Sequence, residues 1–185
     1  MTQEIKVTIE GTTPILFNRF RDTSIEGKSK KRTGALVESD IHDKLYYDER
    51  GKVQLPSVYI KNSLTEAAKQ FKIQGKNKAT YSKIVGSTVD IAPFYIELEY
   101  PENYEVFRIS AVNPMTKGRM MVTRPRFDKW ACEFEIEVQG DSVGFETMNQ
   151  LLVEAGQSTG IGDWRPEKKG KFGKFVVTKF RELKE

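Results

Sequence analysis

The chain has 185 residues, of which 38% are hydrophobic and 30% charged; that length can bury a core without disulfides or metal staples, and the composition reads as soluble and globular. No apolar stretch approaches the ~18 residues of a membrane helix; the lone Cys132 excludes an internal disulfide, and with one histidine, His42, no Cys/His cluster exists for zinc. The net charge of +4 hides a segregation: residues 19–34 carry six basic and two acidic side chains, 104–130 six and two, and 156–181 seven and two, so the remainder is acidic.

Charge gathered in this way is the expected footprint of a polyanion partner. The alternative is that solvated loops are merely lysine-rich.

The opening MTQEIKVTIEG runs straight into alternation, with Ile5, Val7 and Ile9 set against Lys6, Thr8 and Glu10. It predicts a half-buried strand, with no apolar signal-peptide core before it. Residues 12–52 show little periodicity and contain the KSKKR run with Lys30, Lys31 and Arg32, which reads as a long basic loop of the kind that is usually functional or disordered. LPSVYIKNSLTEAAKQFK then offers a helix that starts at Pro56 and Ser57, with Ile60, Leu64, Ala67, Ala68 and Phe71 along one face. A polar stretch through Gly86 follows.

Phe94, Ile96, Leu98 and Tyr100 alternate with Tyr95, Glu97 and Glu99, which predicts a second long strand. YEVFRISAV and RMMVTRPRF flank the turn residues Asn113, Pro114 and Gly118, so 104–128 reads as a hairpin arm. Cys132, Phe134, Ile136 and Val138 alternate with three glutamates as a third core strand, with Cys132 a small buried residue. A second helix places Phe145, Met148, Leu151, Leu152 and Ala155 on one face, with Asp141 or Ser142 as N-cap and Gly156 as stop. FGKFVVTKF closes the chain as a strand. The order β-α-β-β-α-β predicts an α+β fold, ferredoxin-like or RRM-like, with two helices on one face of an antiparallel sheet in a single domain over 1–185.

The segment GQSTGIGDWRPEKKGKFGKF, 156–175, is the densest in glycine and charge. It fails as a dinucleotide fingerprint, because Arg165 stands where the third glycine belongs and the loop follows a helix instead of opening one. Gly27-Lys28-Ser29 resembles the tail of a P-loop, but Asp22 occupies the position of its first glycine. What remains is backbone able to come close to a ligand, with Arg165, Lys168, Lys169, Lys171 and Lys174 for charge and Trp164 as a stacking plane. Cations interleaved with an aromatic suit a nucleic-acid strand; the bland reading is a mobile turn with Trp164 in the core.

YYDERGKVQLPSVYIKNSLTEAAK and this glycine-rich segment together resemble the CRISPR-associated RAMP superfamily, and most closely its backbone subunits that coat a guide RNA. In that family a stretch Gly-x-x-x-Ile-Pro-x-Ser-x-x-Lys-x-x-Leu enters the first helix. Gly51, Leu55, Pro56, Ser57 (one position early), Lys61 and Leu64 approximate it here, and Gly156, Gly160, Gly162, Gly170 and Gly173 correspond to the family's glycine-rich loop. Asn62 replaces the usual glycine after the lysine, and the chain is short for a backbone subunit, as in a compact relative carried by a phage or mobile element. The resemblance implies a cytoplasmic protein of a prokaryotic or phage-infected cell that polymerises along single-stranded RNA or DNA as a homo-oligomer, using a palm and a thumb-like element at 19–45 or 108–126.

Glu97, Glu99, Glu133, Glu135 and Glu137, at outward positions of two strands, would repel phosphate. The expected contacts are therefore Lys30, Lys31, Arg32, Lys61, Asn62, Arg108, Lys117, Arg119, Arg124, Arg126, Trp164, Arg165, Lys168, Lys169, Lys171 and Lys174, with no cofactor and no metal. Two other readings stay open. One is a metal-independent endoribonuclease in which His42, between Asp40 and Asp43, acts as acid and base; the other is a structural or decoy subunit of a RAMP-type assembly.

Overall fold

A computed structural model describes residues 2–20, 41–76, 78–112 and 115–183. Its centre is a four-stranded antiparallel sheet in the order β10-β1-β9-β5, formed by β1 (Thr2–Gly11), β5 (Val89–Ala92), β9 (Ala131–Gln139) and β10 (Phe175–Glu182). This is the strand order of a ferredoxin-like sheet, and the α+β class expected from the element order holds. Ile5, Val7 and Ile9 of β1 and Cys132, Phe134, Ile136 and Val138 of β9 point to one face, and all are buried. Period-two alternation dictates this, since it puts every second side chain on the same side of the pleat.

The helices α1 (Ser57–Ala67) and α3 (Phe145–Glu154) supply the other half of the core through Ile60, Leu64, Met148, Leu151 and Leu152. α1 begins after Pro56, whose fixed φ and missing N–H suit a helix entrance. It tightens into a 3-10 turn over Ala68–Gln70. α3 is capped by Gly144, and neither Asp141 nor Ser142 takes that place. Nor does Gly156 end it: the helix widens into a π turn, Ala155–Thr159, that stops at Gly160 with φ 70°. Gly156 is a glycine for another reason, because a Cβ there would lie 2.2 Å from the Phe175 carbonyl oxygen.

The stretch 94–100 is not a core strand. The second strand of the main sheet is β5, which follows a short helix α2 (Ser82–Thr88), and Pro93 then ends the ladder because it has no N–H to donate. β6 (Tyr95–Glu97) leaves for a small side sheet of order β3-β4-β6 with β3 (Tyr46–Tyr47) and β4 (Val53–Pro56). The alternation was real, since Ile96 and Leu98 are buried, but it served another sheet. Glu97 accordingly faces Gln54, not the main sheet's open face, and Glu99 forms only a bridge to Ala131.

The hairpin arm is present: β7 (Glu105–Val112) pairs with β8 (Arg119–Phe127), and β2 (Ile15–Leu16) joins β8 as a third strand. Asn113 and Pro114 lie outside the described residues. At its root Phe127 packs edge-on to Phe17 at 5.8 Å and against Tyr100 at 4.9 Å. Towards its tip Ile109, Val112, Met115, Met120 and Met121 are exposed. The 12–52 stretch is thus more anchored at its ends than a loop, because Ile15, Leu16, Phe17, Ile41 and Leu45 are buried.

The sheet's open face carries Glu133, Glu135 and Glu137, with Glu137 beside both Glu4 and Asp90 in register. Lys6 bonds Glu133 at 2.7 Å and holds that carboxyl below the usual glutamate range. Because the Phe134 ring fills the opposite face, Phe134→Ala is expected to lower stability by about 3–5 kcal/mol, and Glu135→Ala by less than about 0.5 kcal/mol, both read from urea midpoints. A small loss for Phe134→Ala would contradict this sheet assignment.

Candidate nucleic-acid interface

The glycine-rich segment is a built object and not a mobile turn. Backbone bonds run from Asp163 N–H to Leu16 O (2.8 Å), from Gly173 N–H to Pro14 O (2.7 Å) and from Thr12 N–H to Lys174 O (2.8 Å), which dock it on β2 and the residues before it. Within the loop, Ile161 N–H donates to Gly173 O (2.9 Å) and Gly160 N–H to Ala155 O (2.7 Å). The glycines make these approaches possible. A Cβ at Gly170 would stand 1.7 Å from the Trp164 carbonyl oxygen, and one at Gly173, whose φ is +72°, would stand 1.7 Å from that of Ile161. At Gly162 it would stand 2.7 Å from the Leu16 oxygen. Backbone thought to approach a ligand approaches the protein's own chain instead.

Trp164, at φ 52°, is half-buried and so does not lie in the core. Its ring meets Phe107 of the arm edge-on at 6.1 Å, while Phe172 of the loop lies 5.2 Å from the same Phe107. The seam is closed on its polar side by Arg124, whose Nε donates to Asp163 at 2.6 Å with both side chains mostly buried. Arm and loop therefore form one surface, joined by three aromatics and an ion pair.

The expected cations divide by whether the protein already neutralises them. Arg124 is spent on Asp163, Arg126 on Asp128 and Glu105, Arg165 on Glu167, and Lys168 also on Glu167. Lys61 lies 3.4 Å from Asp90. By contrast Arg108, Lys117 and Arg119 on the arm and Lys169 and Lys171 on the loop are exposed and have no ion-pair partner among the described residues. Lys174 is half-buried, and its backbone is tied to Thr13.

Register separates the arm's arginines from the loop. Arg108 faces Thr123 and Arg119 faces Val112 across the ladder, on the side of the ribbon opposite Phe107 and Arg124. Lys30, Lys31 and Arg32 lie outside the described residues. Among the described residues no group of three His, Cys, Asp or Glu side chains could hold a metal. The His42 ring is exposed and stacks on Tyr47 at 4.1 Å and 13°.

Sequence reasoning missed one element. Tyr59 and Asn62 of α1, Asn18 after β2, and Gly162, Asp163 and Arg165 of the loop enclose a cleft of about 190 Å³. Burial, with the neighbouring Tyr46 phenol, pushes the Tyr59 hydroxyl far above its ordinary range, so it stays protonated. Asn62 and Arg165 are among the expected contacts, but their meeting with Asn18 and Tyr59 has no signal in the chain, because the walls come from three distant segments.

No family model matches the chain, and no curated protein matches it. Among solved structures it is similar to a chain of the Type III-B Cmr-beta complex, seen by cryo-EM bound to cognate target RNA, with a TM-score of 0.60 and 15% identity. The match covers 99% of this chain and 61% of that one, so this chain spans less than two thirds of its neighbour's length. The likeness shows that the two chains share a fold.

Because the Arg124–Asp163 pair joins arm to loop, Arg124→Ala and Asp163→Ala are expected not to add. A double-mutant cycle on thermal or urea unfolding should return a coupling of about 0.5–3 kcal/mol. Strict additivity would mean that the ion pair adds nothing to the aromatic seam and the backbone bonds to β2.

Proposed function

We propose that this chain binds single-stranded nucleic acid, RNA in preference to DNA, along the glycine-rich loop and the hairpin arm, and that successive copies assemble on the strand in the cytoplasm of a prokaryotic cell. The observation that carries the reading is the placement of Lys169 and Lys171, unpaired and exposed, on a loop whose backbone is pinned to β2 and whose aromatic flank abuts the arm. With the backbone already held, only the lysine side chains remain to be ordered when phosphate binds. The open sheet face is net acidic and less suited to phosphate, since Glu4, Asp90, Glu133, Glu135 and Glu137 outnumber Lys6, Lys179 and Arg181 on it. The choice of RNA rests on the structural neighbour, whose complex is bound to target RNA.

Arg108 and Arg119, on the far side of the arm, suit the same strand only if it also passes that side. A row of copies meets this condition, with the strand crossing the loop of one copy and the far face of the next copy's arm. The apolar tip supports such an arrangement: Val112, Met120 and Met121 are 60%, 49% and 60% exposed, an amount of apolar surface that an isolated hairpin leaves uncovered.

A labelled oligonucleotide titrated across salt tests the binding. Affinity should fall linearly in log–log coordinates, and replacing Lys169 and Lys171 by alanine should flatten the slope by roughly 0.7 per lysine lost. Absence of binding at low salt would overturn the proposal. For assembly, Met120→Thr with Met121→Thr, which removes apolar surface and adds no charge, should leave binding of a short oligonucleotide intact. The same pair should abolish the stepwise gain in mass on longer strands seen by light scattering; unchanged loading on long strands would remove the arm tip from the contact between copies.

A further inference from the structure

The cleft between α1, the residue after Phe17 and the glycine-rich loop has a chemistry unlike the rest of the basic surface. Its charged side chains are already satisfied. Arg165 gives Nε and a terminal nitrogen to Glu167 at 2.8 and 2.6 Å and its other terminal nitrogen to the Gly162 carbonyl at 3.1 Å. Asp163 takes the Arg124 Nε at 2.6 Å on one oxygen and the Trp164 N–H at 3.1 Å on the other. A phosphate entering here would find no uncompensated cation, and it would meet the Asp163 carboxylate.

The two carboxamides are in the opposite state. Asn18 and Asn62 line the same cleft from different segments, and neither side chain bonds any group of the protein among the described residues. Each offers one acceptor and two donors, the complement of a heterocycle's edge. Tyr59 adds an aromatic wall, with Tyr46 edge-on behind it at 6.5 Å and the Arg19 guanidinium 5.2 Å over the Tyr46 ring. The Arg165 plane, held by three bonds, is a second flat surface of the kind on which unstacked bases lie. At about 190 Å³ the cleft is smaller than the ~300 Å³ at which drug-sized sites begin, which suits a single ring system.

We infer that this cleft is a nucleobase subsite that takes one unpaired base of the bound strand, adenine by preference, through the side-chain amides of Asn18 and Asn62. The inference rests on the strand-binding reading above and adds selectivity to it, since an asparagine amide pairs two-fold with adenine's adjacent donor and acceptor. Loop lysines then supply affinity that ignores sequence, and the cleft supplies the part that does not.

Anisotropy titrations with oligo(rA) and oligo(rU) of equal length, on wild type and on Asn18→Ala, Asn62→Ala and Lys171→Ala, test it. Wild type should favour oligo(rA) by about tenfold, the value of one good amide–base pair. Either asparagine variant should lose most of that preference while its oligo(rU) affinity stays put, whereas Lys171→Ala should weaken both strands alike. Both asparagines are exposed, and neither side chain bonds another group among the described residues, so unchanged melting temperatures are expected. Salt-dependent binding with no base preference, or a preference that survives both asparagine changes, overturns the subsite and leaves strand binding standing. Failure of wild type to bind either oligonucleotide overturns both.

Discussion

The contact on which the rest of the molecule depends is the backbone-to-backbone seating of the glycine-rich loop on residues 14–16. Asp163 N–H reaches the Leu16 carbonyl and Gly173 N–H reaches that of Pro14, at distances that leave no room for side chains between the chains. Ile15 and Leu16 form β2, with Pro14 just before it, and β2 is the outer strand of the arm's sheet through its pairing with β8. The seat therefore ties three things that sequence holds far apart: the C-terminal strand of the main sheet, the root of the hairpin and the N-terminal strand's exit. Trp130 reinforces the same corner, since its indole N–H donates to the Thr13 carbonyl at 2.9 Å and its ring lies against Gly11.

From that seat follows the division of charge. A loop held by its backbone can turn its lysine side chains outward, because none of them is needed to hold it. The arginines and the acids of the same stretch do the internal work: Arg165 with Glu167, and Asp163 with Arg124. Net charge along the chain could not make this distinction, since a paired arginine and a free lysine count the same. Among the described residues, Arg124, Arg126, Arg165 and Lys168 lie beside an acid in space, and Arg108, Lys117, Arg119, Lys169 and Lys171 do not. The open sheet face carries more carboxylates than cations, with Lys6, Lys179 and Arg181 set among Glu4, Glu133, Glu135 and Glu137.

Much of the fold was legible because burial imposes a period. β1, β9 and β10 and the apolar stripes of α1 and α3 could be read from alternation or helical spacing, and the arm from two strand-like runs around turn residues. Errors arose where one pattern admitted two destinations. Residues 94–100 alternate as any half-buried strand does, yet Pro93 sends them to the side sheet with β4, and the core position passes to the four residues Val89–Ala92. So short a strand behind a helix of seven residues leaves too few periods to recognise. α3 overran Gly156 because a π turn absorbs it, and that glycine answers to the Phe175 carbonyl instead of to helix termination.

By itself the sequence determined the class of fold, the segregation of basic stretches from an acidic remainder, and the importance of the segment 156–175, since these depend on local period and composition. Only the tertiary structure decided what the glycines are for, which cations are free, and that Asn18, Tyr59, Asn62 and Arg165 share one cleft. The physical reason is range. Alternation and charge runs are properties of neighbours in the chain, whereas an ion pair, a missing Cβ or a cleft wall is a property of segments brought together by the core that those alternations bury.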